Sequence, residues 1–273
     1  MGKERLDLLL VEKGFFPSRE QAKDAILSGL IQVGDKIEDK PGTKIERDAE
    51  ILVKSPPHPY VSRGGLKLEK AIEVFRLDLK DKVVLDIGAS TGGFTDCALQ
   101  HGAKIVYAID VGYGQLAWKL RNDKRVIVME RVNFRHLKPD QLQGPSPHVA
   151  VIDVSFISLT LILSNLTYFF PNGGEVVALV KPQFEAGREN VGKKGVIRDP
   201  RIHLDVLKKV VAKSEELGYT PIQITHSPVK GGEGNIEFLL YLQFNAGEGQ
   251  KENISLEEAV RKAHQELDGH LSP

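Results

Sequence analysis

The sequence predicts an α/β fold, in which helices cover a mostly parallel sheet with an antiparallel last strand, preceded by a small α+β domain. From residue 83 onward, short apolar runs alternate with helical patterns, as is typical of a parallel sheet. The last two apolar runs, at 220–227 and 236–244, are expected to pair as an antiparallel hairpin. The first 54 residues instead combine two helical patterns with brief strand-like runs.

Length and composition agree with a globular protein of two domains. The 273 residues suffice for one large domain and one small one. Lys and Arg together number 37, as do Asp and Glu, so any binding of nucleic acid must come from a local basic patch. The single cysteine, Cys97, is expected to be buried, which fits a reducing, cytoplasmic location. The sequence contains no signal peptide, membrane-spanning run or metal-ligand spacing.

The N-terminal 54 residues predict two helices followed by short strands. The first helix covers 5–13, and the second follows Ser18, whose hydroxyl can accept the backbone N–H of Gln21. Strands are expected at 31–33, 36–37 and 49–53. The segments Arg-Leu-Asp, Pro-Ser-Arg-Glu-Gln-Ala, Gly-Leu-Ile-x-Val and Lys-Pro-Gly-Thr-Lys make residues 4–54 resemble the S4 RNA-binding domain.

In S4 domains the second helix and its neighbouring loops face RNA, so this resemblance implies a set of phosphate contacts. The first 54 residues hold ten Lys and Arg against eleven Asp and Glu, so a one-sided patch must supply the affinity. Otherwise these charges only solvate a small helical module. The candidates are Arg5, Lys13, Arg19, Gln21 and Lys23.

A proline-rich linker, 55–61, is expected to stay extended and to separate the two domains. A helix follows from Leu66, with an apolar stripe that includes Leu68 and Phe75. Lys67 lies off that stripe near the helix start, where a cation opposes the helix dipole. Because this has a small cost and no evident structural benefit, it hints at a functional role.

The centre of the second domain is a strand, a Gly-rich turn and a helix. The apolar run 83–85 leads into Asp86-Ile-Gly88-Ala-Ser90-Thr-Gly92-Gly93-Phe94, and a helix is expected over 95–99. The turn is neither a P-loop nor G-x-G-x-x-G, since no Gly-Lys-Ser/Thr follows and Ser90 replaces the middle glycine. It resembles the first motif of S-adenosylmethionine (SAM) methyltransferases.

That resemblance implies a SAM pocket at the carboxyl edge of the sheet. Asp86 would meet the ammonium of the ligand, Asp110 at the end of the next strand would accept the ribose hydroxyls, and Asn133 would contact the adenine. The complete set of cofactor candidates is Asp86, Gly88, Ala89, Ser90, Gly92, Gly93, Phe94, Asp110, Val111, Asn133 and Asp153.

The remaining elements complete the sheet. A helix is expected over 113–122, strands over 126–129, 149–152 and 175–180, and helices over 159–170 and 200–217. The polar segment 186–200 is typical of a loop beside a site, and its Lys193 and Lys194, together with Arg63, are further candidates for RNA contact. The domain is expected to span 62–247, followed by a tail, 248–273, whose charged helix at 256–267 is expected to be peripheral.

Four residues are the candidates for catalysis: Lys67, Asp153, Lys181 and Glu237. Asp153 and Lys181 each follow a parallel strand and so share one sheet edge. Glu237 lies in an otherwise apolar strand, where a carboxylate needs a partner, and Lys181 is the expected one. With these residues, positions 4–244 resemble the FtsJ-type ribose 2′-O-methyltransferases, and most closely the TlyA (haemolysin A) family, through its Lys-Asp-Lys-Glu set.

The resemblance implies SAM-dependent methylation of a ribose 2′-hydroxyl, of cytidine in that family, with ribosomal RNA or ribosomal subunits as partner and no metal. Lys181 would lie closest to the hydroxyl. The residues leave open whether it removes the proton or stabilises the developing alkoxide as a cation. The segment Asp153-Val-Ser-Phe156 also resembles a degraded Asn/Asp-Pro-Pro-Tyr/Phe motif of N-methyltransferases that act on a base. A ribosome-binding protein with a vestigial methyltransferase domain is a further alternative, whereas a membrane-lytic protein would need an amphipathic or spanning segment that the sequence lacks.

Overall fold

The computed structural model describes residues 2–16, 18–54, 58–192, 195–245 and 254–268. The predicted contacts of Lys193 and Lys194 lie outside the described residues, as does part of the predicted linker. The helices are α1 (Leu6–Glu12), α2 (Arg19–Leu27), α3 (Gly64–Phe75), α4 (Gly93–Gln100), α5 (Trp118–Arg121), α6 (Leu159–Leu166), α7 (Pro182–Glu185), α8 (Pro200–Glu216) and α9 (Leu256–Asp268). The strands are β1 (Lys3–Arg5), β2 (Ile31–Val33), β3 (Lys36–Glu38), β4 (Lys44–Glu46), β5 (Ile51–Val53), β6 (Val83–Ile87), β7 (Ile105–Asp110), β8 (Val126–Glu130), β9 (Val149–Ile152), β10 (Gly174–Val180), β11 (Tyr219–His226) and β12 (Phe238–Phe244).

The N-terminal domain packs α1 and α2 on two small antiparallel sheets, β3–β2–β5 and β1–β4. Ser18 caps α2 as expected, since its Oγ accepts the N–H of Gln21 at 3.3 Å. Strands β1 and β4 were missed by the sequence pattern, because each is only three residues long and carries mostly charged side chains. The core of this domain is formed by leucines of α1 and by apolar residues of α2 and β2.

The large domain contains a seven-stranded sheet in the order β11–β12–β10–β9–β6–β7–β8. Strands β6 to β10 pair in parallel, and β12 pairs antiparallel with both β10 and β11. This confirms the predicted fold class. Strands β6 and β9 are entirely buried at the centre of the sheet, which explains their continuous apolar runs. The carboxyl ends of five parallel strands therefore meet at one edge.

Two predicted elements differ in extent. The helix expected over 113–122 is reduced to α5, because Glu130 accepts the N–H of Gly114 at 2.9 Å and holds the preceding residues in a turn. Glu237 precedes β12 by one residue rather than lying within it, and its backbone oxygen accepts the N–H of Ser227 at 2.8 Å.

The C-terminal helix α9 is not peripheral, contrary to the sequence-based expectation. Leu256, Ala259, Val260 and Ala263 are buried, because the helix packs on α8 and β11 and joins the main core cluster. Their spacing of three and four residues places them on one helix face. None of the helices in the described part of the chain is long and apolar enough to cross a membrane.

Candidate active site

A cavity of about 330 Å³ opens at the carboxyl edge of the parallel strands. Three segments form its walls: the start of α3, the Gly-rich turn after β6, and the loop before β12. Lys67 of α3, Asp153 after β9 and Lys181 after β10 also line it. The lining residues are Ser62, Arg63, Gly64, Lys67, Gly88, Ala89, Ser90, Thr91, Gly93, Phe94, Asp153, Ser155, Lys181, Val229, Lys230, Gly231 and Gly232.

The four candidate catalytic residues form two lysine–carboxylate pairs that touch each other. Lys67 Nζ lies 2.7 Å from Glu237 Oε2 and 3.8 Å from Asp153 Oδ2. Lys181 Nζ lies 2.5 Å from Asp153 Oδ1. The partner expected for Glu237 was therefore wrong: Lys67, and not Lys181, binds it. Lys181 follows β10 and reaches Asp153 at the end of the neighbouring strand β9, whereas Lys67 crosses to Glu237 from α3.

Burial makes these pairs stronger constraints than surface salt bridges. The side chains of Lys67, Lys181 and Glu237 are only 10%, 11% and 2% exposed. Lys181 also donates to Ser155 Oγ at 2.9 Å, so these contacts use two of the three N–H donors that an ammonium has. Two oriented ammonium groups at the base of one cavity can bind a hydroxyl and stabilise negative charge on its oxygen.

The Gly-rich turn needs glycine at two positions for different reasons. Gly88 has φ +89°, and a Cβ there would collide with the backbone carbonyl of Asp153. Gly92 has φ +95°, and a Cβ would meet the side chains of Leu116 and Leu120. The turn therefore approaches both the end of β9 and the chain at α5 more closely than any other residue would permit.

Asp86 lies behind the turn and is fully buried, and it does not line the cavity. Its Oδ2 accepts the Thr95 hydroxyl at 2.6 Å, while Oδ1 has no hydrogen-bond partner among the described residues. Burial, together with the nearby charges of Asp153 and Asp110, raises the pKa of Asp86 to about 7. A buried carboxylate oxygen without a donor suits a cationic ligand group, because such a group would satisfy both its charge and its lone pairs.

Asp110 holds the turn in place. Its Oδ2 accepts the N–H of Ser90 at 2.8 Å and its Oδ1 accepts the N–H of Gly112 at 2.6 Å. Ser90 adopts φ +48°, which is uncommon for a residue with a side chain, and the bond to Asp110 stabilises it there. Asp110, the residue predicted to bind the ribose hydroxyls, therefore also stabilises the turn. Its carboxylate is still partly exposed.

The structure brings some cofactor candidates to the cavity and leaves others along the same sheet edge. Asp110, Val111 and Asn133 follow β7 and β8, beyond the turn, and none of them lines the cavity. Val111 and Asn133 are exposed, and Asn133 Oδ1 accepts the N–H of Arg135 at 3.1 Å. Those that do line it are Gly88, Ala89, Ser90, Gly93, Phe94 and Asp153.

Several residues predicted to bind RNA make contacts within the N-terminal domain. Arg5 and Arg19 both bind the fully buried carboxylate of Asp7, at 3.0 and 2.8 Å. Lys13 donates to the backbone oxygen of Ala49 at 3.3 Å. Each arginine side chain is still 41% exposed. Arg5 and Arg19 can therefore bind Asp7 and still present positive charge to solvent. Gln21 is exposed, Lys23 is half-buried, and Arg63 lines the cavity instead.

Part of the cavity wall was not predicted from the sequence. The loop before Glu237 was not assigned to the site, although its two adjacent glycines, Gly231 and Gly232, so close to a candidate carboxylate were a usable signal. Ser62, Thr91 and Ser155 carried no distinctive pattern. The missed lining residues are Ser62, Gly64, Thr91, Ser155, Val229, Lys230, Gly231 and Gly232.

An exposed aromatic ring lies close to the end of β9. Phe156, three residues after Asp153, is 91% exposed and has φ +62°. Its ring packs against Phe184, with 4.9 Å between ring centroids. The two rings help to form a second, open cleft of about 490 Å³. A large apolar side chain held out in a strained backbone conformation suggests a binding surface.

Comparisons with known proteins agree with this geometry. The sequence model of the S4 domain matches residues 4–51. A Bacillus subtilis protein assigned by name to the rRNA methyltransferases, YqxC, is 56% identical over 97% of this chain and 94% of its own length. The 16S/23S rRNA (cytidine-2′-O)-methyltransferase TlyA of Mycobacterium tuberculosis is 40% identical over 95% and 96% of the two chains.

A solved structure from Streptococcus thermophilus, described as a hemolysin, superposes on this protein with a TM-score of 0.77. It is 49% identical and covers 98% of both chains. The model of the FtsJ-like methyltransferases matches residues 60–244, which include the whole cavity and both lysine–carboxylate pairs. The chain therefore belongs to the FtsJ-like methyltransferase family, with an S4 domain at its N-terminal side.

Proposed function

We propose that this protein transfers a methyl group from SAM to a ribose 2′-hydroxyl of ribosomal RNA, at a cytidine. The observation that carries the proposal is the convergence of the Lys67–Glu237 and Lys181–Asp153 pairs at the base of the cavity beside the Gly-rich turn. The named activity of the M. tuberculosis relative supports the choice of cytidine and of ribosomal RNA. A ribosomal substrate implies a cytoplasmic reaction.

The residues present fit SAM. Asp86, buried behind the turn with an unpaired Oδ1, would place a carboxylate near the ammonium, and the close turn at Gly88 lets the backbone approach the methionine part. Asp110, Val111 and Asn133 are available farther along the edge for the ribose and adenine. SAM would supply a methyl group bound to a positively charged sulfur. The oxygen nucleophile would attack the methyl carbon, and the sulfur would leave as the neutral thioether of S-adenosylhomocysteine.

The protein must then make a ribose hydroxyl reactive, since a neutral hydroxyl is a poor nucleophile. Lys181, oriented by Asp153 and Ser155, would act in one of two ways. It would accept the hydroxyl proton as a base, or it would bind the hydroxyl oxygen through its remaining N–H and stabilise the developing alkoxide while the proton passes to solvent. Lys67, held by Glu237, adds a second positive charge beside Asp153. Phe156 offers a planar surface on which the base of the target nucleotide can stack.

The N-terminal domain is proposed to bring ribosomal RNA or a ribosomal subunit to this site. Arg5, Lys13, Arg19, Gln21 and Lys23 remain the candidates for phosphate contact there, with Arg63 at the cavity itself. Lys193 and Lys194 are retained from their sequence position alone.

The decisive experiment uses the full chain, SAM with a labelled methyl group, and ribosomal subunits that lack the modification. Methylated nucleosides are identified by mass spectrometry, and their positions are mapped by resistance to alkaline cleavage. A 2′-O-methylcytidine is expected. A label found on a base supports the N-methyltransferase alternative, and SAM binding without transfer to any RNA supports a vestigial enzyme. The folded Lys67→Ala variant is the inactive control.

A further inference from the structure

The loop at residues 228–235, named here the rim loop, touches the catalytic centre from the side. Val229, Lys230, Gly231 and Gly232 line the cavity. Gly231 lies directly against Glu237, because a Cβ at this glycine would collide with the carboxylate oxygen Oε1. The position of the rim loop therefore restricts where the Glu237 carboxylate, and with it Lys67, can lie.

An ion pair anchors the rim loop to a helix outside it. Lys230 Nζ lies 2.5 Å from Asp268 Oδ1, and Asp268 is the last residue of α9. Within the loop, the N–H of Gly231 donates to the backbone oxygen of Asn235 at 2.9 Å. Because α9 packs on the core through four apolar residues, it provides a fixed support for this anchor.

Two buried histidines connect the same anchor back to the catalytic strand. His264 Nδ1 lies 3.2 Å from Asp268 Oδ2, and the other ring nitrogen of His264 lies 2.9 Å from Nδ1 of His203 on α8. The His203 ring contacts Phe238, the residue after Glu237, edge to face with centroids 5.6 Å apart.

These contacts form a ring of neighbouring residues that begins and ends at Glu237. It runs from Glu237 through Phe238, His203, His264, Asp268, Lys230 and Gly231 back to Glu237. Gly231 is the member of this set that lies against the Glu237 carboxylate. The matched region of the FtsJ-like methyltransferases ends at residue 244, so α9 lies outside it.

We propose that α9 positions the rim loop, and through it the Glu237–Lys67 pair, by means of the Lys230–Asp268 ion pair. Asp268 is then a positioning residue: it acts on methyl transfer through Lys230 and Gly231 without touching substrate. The effect on the methylation rate rests on the proposed function. The effect on the position of the rim loop rests on the geometry alone.

The test compares the full-length Asp268→Ala variant with wild type. Loss of the anchor is expected to lower the single-turnover rate of RNA methylation about ten- to a hundredfold, as small displacements of reacting groups do. SAM affinity, measured by calorimetry, and the melting temperature should stay close to wild type. The matched control is Glu257→Ala, which removes an exposed carboxylate of the same helix that pairs only with Lys208 at 3.4 Å in the described structure.

Charge reversal separates positioning from direct contact with substrate. Lys230→Glu should be slow, and the double variant Lys230→Glu with Asp268→Lys should recover much of the lost rate, since it restores the ion pair with opposite polarity. No recovery means that Lys230 acts directly on substrate or cofactor, which overturns the proposal. A wild-type rate in Asp268→Ala overturns it as well.

Hydrogen exchange gives a measurement that does not depend on activity. The N–H of Gly231 should exchange faster in Asp268→Ala than in wild type or Glu257→Ala. Unchanged exchange contradicts the inference, whatever the enzyme does. If the wild-type protein methylates no RNA but Gly231 exchanges faster in Asp268→Ala, the positioning role of Asp268 is supported and the proposed function is contradicted.

Discussion

Lys181 is the residue whose contacts most directly predict a chemical role. Its amine is bound to Asp153 and Ser155 and has one further N–H donor that can meet a hydroxyl in the cavity. Lys181→Ala is expected to lower methyl transfer to RNA about a hundredfold or more, within the range of acid–base and electrostatic contributions. SAM and RNA should still bind. Single-turnover methylation measures the effect, with Lys208→Ala, a surface lysine, as control.

The substitution Lys181→Arg distinguishes the two possible roles. Arginine keeps the positive charge but does not give up a proton at working pH. Partial activity would therefore indicate electrostatic stabilisation, and complete loss would indicate a general base. Wild-type transfer by Lys181→Ala would remove the main support for ribose methylation.

Asp86 predicts a pH dependence of cofactor binding. Because its pKa is raised to about 7, the carboxyl is ionised above that pH and increasingly neutral below it. An ammonium group prefers the ionised form, so SAM affinity should fall as the pH drops from 8 to 6, by at most about tenfold per unit below the pKa. Calorimetry at several pH values measures this. Asp86→Asn should bind more weakly and without that dependence; equal slopes in both proteins would remove Asp86 from the site.

Phe156 predicts a selective effect on RNA. Its ring is exposed and contributes little to the core, so Phe156→Ala should leave stability and SAM affinity nearly unchanged. The apparent RNA affinity should weaken by about 1–3 kcal/mol, the range found for aromatic stacking on a base. Tyr168→Ala, another exposed aromatic, is the control. Equal RNA affinities for wild type and Phe156→Ala would argue against a base-binding surface here.

At the scale of elements, the contact between α8 and α9 predicts sensitivity to acid. Burial and the neighbouring His264 lower the pKa of His203 to about 4, below its ordinary value of about 6.5. Between pH 4 and 6.5, His203 is protonated in the unfolded chain and neutral in the folded protein. The free energy of unfolding should therefore decrease as the pH falls from about 6.5 toward 4, by up to about 3 kcal/mol from this residue.

Urea denaturation at pH 7 and pH 5 measures that decrease. His203→Gln removes the titrating ring and should show a smaller loss of stability between the two pH values than wild type. His136→Gln, which alters an exposed histidine, should behave like wild type. Identical losses in His203→Gln and wild type would show that the acid sensitivity arises elsewhere.

At the scale of the whole molecule, the two domains meet through a small contact. Asp24 of α2 accepts the N–H of Trp118, the first residue of α5, at 2.8 Å. Tyr60 and Val61 join the second domain instead, since Tyr60 donates to Glu69 at 2.6 Å and the N–H of Val61 donates to Asp96 at 2.8 Å. The residues that form the cavity all lie beyond residue 61.

Removal of residues 1–54 should therefore weaken RNA binding and leave SAM affinity largely intact. If phosphates are bound electrostatically, the logarithm of the RNA affinity of the full protein should fall with the logarithm of salt, with a slope of about 0.7–0.9 per phosphate contact. The truncated protein should show a shallower slope. A flat salt response of the full protein would contradict a phosphate-facing patch.

Lys23→Ala is a better single-residue probe of that patch than Arg19→Ala. Arg19 binds the buried Asp7, so its removal also perturbs the folded domain. Calorimetry and thermal melting of each variant establish that SAM affinity and folding are preserved before the salt slopes are compared.

The sequence by itself determined the features that local chemistry dictates. Continuous apolar runs identify the buried strands β6, β7, β9 and β10, because parallel strands are covered on both faces. Gly88 and Gly92 were recognisable from the motif that the turn resembles, and the structure gives the reason, since a Cβ at either position would collide with its neighbours. The positions of Asp153 and Lys181 at strand ends were likewise readable, because parallel strands end at one edge of a sheet.

Only the tertiary structure decided which side chains meet. Lys67 and Glu237 are 170 residues apart, and no local pattern indicates that α3 brings its lysine to that carboxylate rather than leaving it to Lys181. The burial of Asp86 behind its own turn, and the packing of α9 on the core, also depend on distant elements. Hydrophobic periodicity specifies which face of an element is covered, but the partner that covers it is chosen by the packing of the whole chain.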